Sequence, residues 1–322
     1  MPYSHLTGEE REVISQMHYS GRRICEIAVA IDRHRSTVYR ELKRNGNPTA
    51  KTPYFARRAE FKAKKRRRLA KEDAPRKLDD PTLLERVKTG LRKFWSPEQI
   101  AGASQDDPSG CVSHFAIYRW IERDKRNGGE YWKYLRQSKK KRRKKYGSKS
   151  RHLWSEQRRP IEDRPKIVER RARIGDWEGD LMEGLDKKSY LLTLVDRKTG
   201  FLITRKIPSR ESTHVRKTIV QALRNVGADS VKTLTLDNGT EFSNFPKIEE
   251  HLNIKVYFAN PYCSWERGTN ENTNGLIRQF APKRTDFRKL SYQALAAIVK
   301  RINNRPRKRL NYQTPSQLFA NS

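Results

Sequence analysis

The stretch "LTLDNGTEFS", Leu234 to Ser243, reads as a buried strand that stops on an acid, Asp237, followed by Asn238 and Gly239. Asp-Asn-Gly favours a turn, which is one reading of that acid. A buried strand gains nothing from a terminal carboxylate, however, and strand tips at the carboxyl edge of an open α/β sheet are where a crevice accepts ligands. Upstream, "DWEGDLMEG", "SYLLTLVD" and "FLITRKIP" are three further strand candidates, the second and third joined by the turn signal Arg197 to Gly200. A helix from Ser212 to Val226 follows, with Val215, Ile219, Leu223 and Val226 on one stripe, and leads into the strand that ends at Asp237. Downstream come a short strand, "IKVYFA", a helix containing "NENTNGLIRQF" and a last helix, "YQALAAIVKRINN".

The order βββαβαβαα predicts, for residues 166–305, an α/β domain with a ribonuclease-H-like sheet and helices on both faces. In "DWEGDLM", strand alternation sets Asp176, Glu178 and Asp180 on one face and Trp177 on the other. Such crowding of negative charge is unfavourable unless the acids meet solvent or a cation, so a metal site explains it physically. Glu271 stands in the first turn of a later helix, one turn before Gly275 and two before Arg278, where it can project towards the sheet edge. Carboxylates from three elements can thus converge. They suit Mg2+, a hard cation that prefers oxygen, with Mn2+ able to substitute. The expected site holds two ions about 3.5–4 Å apart that activate water or a 3′-hydroxyl and stabilise the leaving oxygen. The reaction class is phosphodiester hydrolysis or transesterification without a protein nucleophile. His114 and His214 are accordingly expected at the surface or facing DNA. Asp176 and Glu178 rival Asp180 as the first acid, and Glu241 and Glu266 are candidates for supporting roles.

Lys and Arg number 71 against 37 Asp and Glu among 322 residues, a formal charge of +34. A field of that sign and size attracts a polyanion, so nucleic acid is the natural partner, and the helix-turn-helix reading below makes it double-stranded DNA. The sequence carries no long apolar run, signal peptide or lipidation motif, which argues against a membrane and for a cytoplasmic protein. Cys25, Cys111 and Cys263 are odd in number and widely spaced, so neither a disulfide framework nor a zinc site is indicated.

The composition divides the chain further into N-terminal all-α helix-turn-helix domains ahead of the α/β domain. Residues 1–50 hold an apolar rhythm that fits three short helices. Within them "ICEIAVAIDRHRSTVYRELKRN" reads as helix, four-residue turn and second helix, capped by Ser36 or Thr37. Val38 and Leu42 would face the core, leaving Arg35, Ser36, Thr37, Tyr39, Arg40, Lys43 and Arg44 for a DNA major groove. A three-helix bundle with a basic face is the alternative. Residues 51–80 read as a basic linker, and 81–130 as a second, helix-turn-helix-like domain. There, Ser96 and Ser113 cap helices, and Ser113, His114, Ala116 and Arg119 are free for a groove. Residues 131–165, with "KKKRRKKYGSKSR", read as a cationic linker laid along phosphates. Residues 306–322 read as a basic tail, and Arg305, Arg307, Lys308 and Arg309 are expected to track phosphates as well. Trp265, in a polar loop, is either a core anchor or a platform for an unpaired base, and Arg278 is a further candidate DNA contact.

"IGDWEGDLMEG", "LTLDNGTEFS", "YCSWERGTNENTNGLIRQFAPK" and "NNRPRKRLNYQTPSQLF" resemble the DDE transposases of the insertion-sequence-thirty family. "IAVAIDRHRSTVYRELKRN" and "WSPEQIAG" resemble their N-terminal region, so the likeness spans nearly the whole chain. The resemblance implies that Asp180, Asp237 and Glu271 are the three catalytic acids, with 33 residues between the last two. It also implies a bacterial, nucleoid-associated enzyme that binds terminal inverted repeats, cleaves the element's ends and joins them to target DNA as a homodimer or higher homo-oligomer. A sequence-specific DNA-binding regulator on an inactive core is the alternative, against which the three acids argue. One departure stands out: where the family has Gly in the first helix-turn-helix turn, this chain has Asp32, which enters the left-handed conformation less readily.

Overall fold

The computed structural model describes residues 4–46, 54–72, 76–105, 107–108, 110–136, 158–185, 187–261 and 263–321. They fall into two units, Met1–Arg76 and Lys77–Ser322. In the first, helix α1 (Gly8–Tyr19) opens on a capping box in which Thr7 and Glu10 exchange side-chain-to-backbone hydrogen bonds. Helices α2 (Ile24–Ala30) and α3 (Arg35–Asn45) follow, four residues apart as predicted, and Ile14, Ile27 and Val38 are fully buried between them. The cap of α3 is His34 rather than Ser36 or Thr37: its Nδ1 accepts the Ser36 amide, so the helix starts one residue before Ser36. Asp32 does take the left-handed conformation, at φ +51°.

The basic stretch expected as a linker, 51–80, instead contains helix α4 (Ala56–Glu72), with Tyr54 and Ala59 buried in the same core. Its Ala, Arg, Lys, Glu and Leu residues are all strong helix formers, and its charges lie along the exposed side. Arg11 donates to Glu41 at 2.7 Å, and the Tyr54 hydroxyl joins that buried pair.

The second unit begins with helices α5 (Pro81–Arg92), α6 (Pro97–Gly102) and α7 (His114–Arg126), capped by Asp80, Ser96 and Ser113. Leu83, Val87, Leu91, Ile100, Ile117 and Ile121 form their core. This bundle is not a separate domain, because it packs onto the C-terminal part of the α/β domain. Phe94 meets Phe280 edge-on at 5.0 Å, Gln99 donates to the Pro306 carbonyl at 2.7 Å, and Lys308 pairs with Glu98 at 2.7 Å. Of the linker read at 131–165, residues 137–157 lie outside the described residues. Its ends are ordered, with Tyr131 and Tyr134 on the bundle and Pro160 bridged to Phe258.

After a single turn, α8 (Lys166–Glu169), come strands β1 (Asp176–Glu183), β2 (Tyr190–Asp196) and β3 (Leu202–Ile207). Helix α9 (Ser212–Arg224), β4 (Thr233–Leu236), α10 (Phe245–Leu252), β5 (Lys255–Phe258), α11 (Gly268–Phe280) and α12 (Tyr292–Asn303) complete the predicted order. The sheet runs β3-β2-β1-β4-β5, antiparallel across the first three strands and parallel from β1 to β5. Trp177, Leu192, Leu194 and Leu234 face α9 and α10, whereas Met182, Leu191, Val195 and Leu202 face α11 and α12. Among the described residues no helix is long and apolar enough to cross a membrane.

The supposed basic tail, 306–322, is folded. It ends in helix α13 (Pro315–Ala320), whose Phe319 stacks on Phe201 at 4.4 Å and meets Trp177 at 5.9 Å. Arg305, ahead of it, is only 5% exposed, so it is not laid out in solvent. Phe319→Ala is therefore expected to lower the free energy of unfolding by about 2–3 kcal/mol, measured by urea denaturation, because it opens a cavity against Trp177.

Candidate active site

β1 and β4 are parallel and paired Glu178 to Thr235. Continuing that register by two residues sets Asp180 beside Asp237, just past the end of β4, on neighbouring strands spaced about 4.8 Å apart. Both residues share the parity of the side of the sheet that α11 covers. A single guanidinium joins them: Arg267, immediately before α11, donates from Nη2 to Asp237 Oδ2 at 3.0 Å and from Nη1 to Asp180 Oδ1 at 3.4 Å. Asn274 donates to the other Asp180 oxygen at 2.6 Å. Asp237 is also an acceptor for the Gly239 amide, and Arg158 holds the Asn238-Gly239 turn from outside.

Burial pushes the Asp180 carboxyl above its ordinary range; Arg267 opposes that shift and Asp237 adds to it. Burial alone would lower the Arg267 guanidinium, yet the two carboxylates, Asp237 foremost, hold it above its usual value. Two buried polar atoms here have no partner, Arg267 Nε and Asn274 Oδ1.

Glu271 lies four residues after Arg267 and three before Asn274, on the same face of α11. Its side chain is exposed. Among the described residues no three carboxylate, histidine or cysteine side chains converge to hold a metal. The structure thus pairs two of the three expected acids and leaves the third one turn away at solvent.

The rival acids are otherwise occupied. Asp176 and Glu178 are fully buried: Asp176 takes Arg173 and Thr233, and Glu178 takes Arg197 and the Asn270 amide. At these two positions the crowding of charge on β1 is thus relieved by arginines. Glu241 pairs with Arg210, and Glu266 closes the loop onto Asn260. Sequence reasoning missed Arg267 and Asn274, although both fall on the helical face of Glu271.

Of the expected DNA contacts, Arg35, Tyr39, Arg40, Lys43 and Arg44 form the exposed face of α3, with Ser36 and Thr37 half-buried at its start. On α7 Arg119 is exposed and His114 is half-buried, stacked beside the exposed Phe115. The Ser113 hydroxyl is engaged by the Ala116 amide as a cap. Trp265 is 72% exposed, which rules out the core-anchor reading. Arg278 is half-buried, donates to the Glu183 and Pro282 carbonyls and lies over Phe287.

The family model described as Integrase core domain matches residues 170–264, and that described as Helix-turn-helix domain matches residues 2–45. The chain is 41% identical to the transposase for insertion sequence element IS4351 of Bacteroides fragilis, over 98% of this chain and 95% of that one. It is 33% identical to transposase InsI for insertion sequence element IS30A of Escherichia coli K12, over 98% of this chain and 83% of that one. The transposase for IS1086 of Cupriavidus metallidurans is 33% identical, over 99% and 95%. Among solved structures, the catalytic core domain of BIV integrase is similar at a TM-score of 0.38 and 18% identity, over 46% of this chain and 95% of that one.

Replacing Arg267 by Gln leaves two carboxylates facing each other. An acid whose folded-state pKa is raised favours the folded state only while protonated, so the resulting deficit is absent below the ordinary Asp range and grows as pH rises through it. Relative to the unsubstituted chain, Arg267→Gln is expected to lose about 1–3 kcal/mol near neutral pH. Little should be lost at about pH 3, which urea melts across pH will read.

Proposed function

We propose the chemistry of this site from one premise: the chain belongs to the transposases of IS30-family insertion sequences. It is a DNA transposase with a helix-turn-helix unit and an integrase-type core, a class that cleaves DNA and transfers the cut strand. In this reading Asp180, Asp237 and Glu271 are the three acids of the reaction. The observation that carries it is the juxtaposition of Asp180 and Asp237 around one shared cation, Arg267.

The donor set fits a hard divalent cation, since it offers oxygen alone: the two aspartates, the unpartnered Asn274 Oδ1, and Glu271 one turn away. Two Mg2+ ions, or Mn2+ in their place, supply activation of the attacking oxygen and stabilisation of the leaving one in such a site. With those ions bound, Asp180 and Asp237 would hold them from the sheet, and Glu271 would complete the set by a change of rotamer from its exposed position. Arg267 then yields the two carboxylates and turns its guanidinium to a phosphate of the strand being cut. Trp265, exposed two residues earlier, stacks on a base unpaired at the cleaved end.

The basic face of α3 reads the terminal inverted repeats in the major groove, and Arg119 of α7 adds backbone contact. Two ends must be joined to one target, so the working form is a homodimer or a higher homo-oligomer, acting on the bacterial nucleoid. The rival reading, a DNA-binding regulator on an inactive core, leaves the carboxylate pair and its orphaned oxygen without a purpose.

Asp237→Asn and Glu271→Gln are expected to bind duplexes carrying the element's own ends in a mobility-shift assay, yet to lose about a thousandfold or more of Mg2+-dependent nicking. Nicking retained by either variant overturns the assignment. Arg40→Ala should weaken binding to those ends by about 1–3 kcal/mol while changing affinity for unrelated duplexes far less; equal losses on both would assign Arg40 to the backbone instead.

A further inference from the structure

Along α11, on the flank lined by Gly268, Thr269, Asn272 and Thr273, the second unit contains a cleft of about 350 Å3 whose lining includes five arginines and no carboxylate. Arg136 comes from the end of the helical bundle, Arg171 from the turn before β1, and Arg305, Arg307 and Arg309 from the segment after α12. Among the described residues none of the five makes an ion pair with a carboxylate, though Arg309 feels the more distant Asp196 and Glu178; the hydrogen bonds of Arg136, Arg305, Arg307 and Arg309 go to neutral groups. Arg305 donates to Gln99 and Gln279, Arg307 to the Ile302 carbonyl, Arg309 to the Lys198 carbonyl and Arg136 to Asn272.

Burial followed by mutual repulsion lowers the guanidinium of Arg305 to about 10 and that of Arg307 to about 9. Arginine does not give up its proton in proteins, so both guanidiniums stay charged while largely withdrawn from water and beside one another. Two glycines let guanidiniums approach the backbone closely here. A Cβ on Gly275 would come within 2.6 Å of Arg136 Nη2, and one on Gly200 within 2.7 Å of Arg309 Nη2.

Independent of the arginines, Thr269 lines the same cleft, is only 8% exposed, and its hydroxyl has no hydrogen-bond partner. The first turn of α11, Gly268 and Thr269, also faces the cleft and adds the partial positive charge of a helix start. The cleft therefore offers several charged donors, one neutral donor and no acceptor of matching charge. A tetrahedral oxyanion meets all of these needs at once.

We propose that this cleft seats a backbone phosphate of bound DNA, fixing the duplex against the flank of α11 that Thr269 and Asn272 line. The proposal rests on the chain being a DNA transposase and adds a contact that neither the helix-turn-helix face nor the acid cleft supplies. It also revises the role read from sequence for Arg305, Arg307 and Arg309. They do not sweep along phosphates from a loose tail; they converge on one.

The full chain is titrated with two duplexes of unrelated sequence by fluorescence anisotropy across a range of salt, with Arg307→Met and the half-exposed rim change Arg136→Gln beside the unsubstituted protein. Each variant is expected to lose about threefold to tenfold in affinity, equally on both duplexes, and to flatten the slope of log Kd against log salt by about 0.9. A thermal melt at constant ionic strength runs in parallel. Inorganic phosphate should raise the Tm of the unsubstituted chain and leave that of Arg307→Met unchanged, while Arg307→Met without phosphate melts no lower than the parent, because a half-buried guanidinium without a carboxylate partner has gone.

An unchanged salt slope in a folded variant overturns the proposal. So does a phosphate-dependent Tm with unchanged duplex binding, which would assign the cleft to a free anion. Should Arg307→Met fail to fold, Arg136→Gln carries the same slope test. Binding is read here without cleavage, so failure of this seat and failure of the acid assignment are distinguishable.

Discussion

Three carboxylates alternate along one face of β1, and the fold must neutralise each of them beneath α11. Asp176 and Glu178, fully buried, each receive an arginine of their own and a second donor. Asp180 does not: it shares Arg267 with Asp237, and its remaining donor, Asn274, is neutral. One guanidinium is thus shared by two carboxylates at a partly open edge, with Arg158 near enough to Asp237 to interact with its charge. That sharing, produced by the parallel register of β1 and β4, leaves Asp180 and Asp237 less closely paired than Asp176 and Glu178, at a place where a further cation is favourable.

Helix α11 fixes this arrangement because its own position is fixed by buried polar bonds. The Asn270 amide donates to Glu178, and Thr193 on β2 donates to the Asn270 side chain. Leu276 and Ile277 then bury the following turn. Glu271 follows Asn270 directly, so although its side chain is at solvent, the point from which it reaches is held by the sheet. Organised in this way, an exposed acid loses little entropy when its rotamer changes and nothing in backbone order.

The legible parts of the chain were those in which one periodic signal dominates. The strand order, the four-residue turn between α2 and α3, and the caps at Ser96 and Ser113 follow from alternation, spacing and capping chemistry that act over a few residues. Failures came wherever charge was taken to mean solvent. Helix α4 looked like a linker because its basic run masked a core contact at Ala59, and Arg305 looked like a tail although it is covered by the bundle. For Trp265, which the sequence left open between core anchor and base platform, the aromatic side chain lies outside. Pattern reading assigns a residue to inside or outside by its type, whereas a long cationic side chain is placed by what surrounds its guanidinium. The site showed the same limit. Its aspartates could be named from strand tips, but the arginine between them could not, because pairing across elements distant in sequence depends on register that no local window contains.

Two flanks of α11 carry opposite electrostatic imbalances, carboxylates that share one guanidinium towards β1 and guanidiniums without a carboxylate partner towards the Arg305–Arg309 segment. Neither is needed to hold the sheet, whose clusters around Trp177 and Leu191 are apolar. Apolar replacement of unbalanced buried charge is commonly neutral or stabilising, so a chain selected only for folding has no reason to keep either. Both imbalances vanish together in one circumstance: cations meet the carboxylates while phosphates meet the arginines. A metal-bound polyanion running past this helix presents both kinds of charge in a single molecule, which makes nucleic acid the common explanation for two sites that share no side chain.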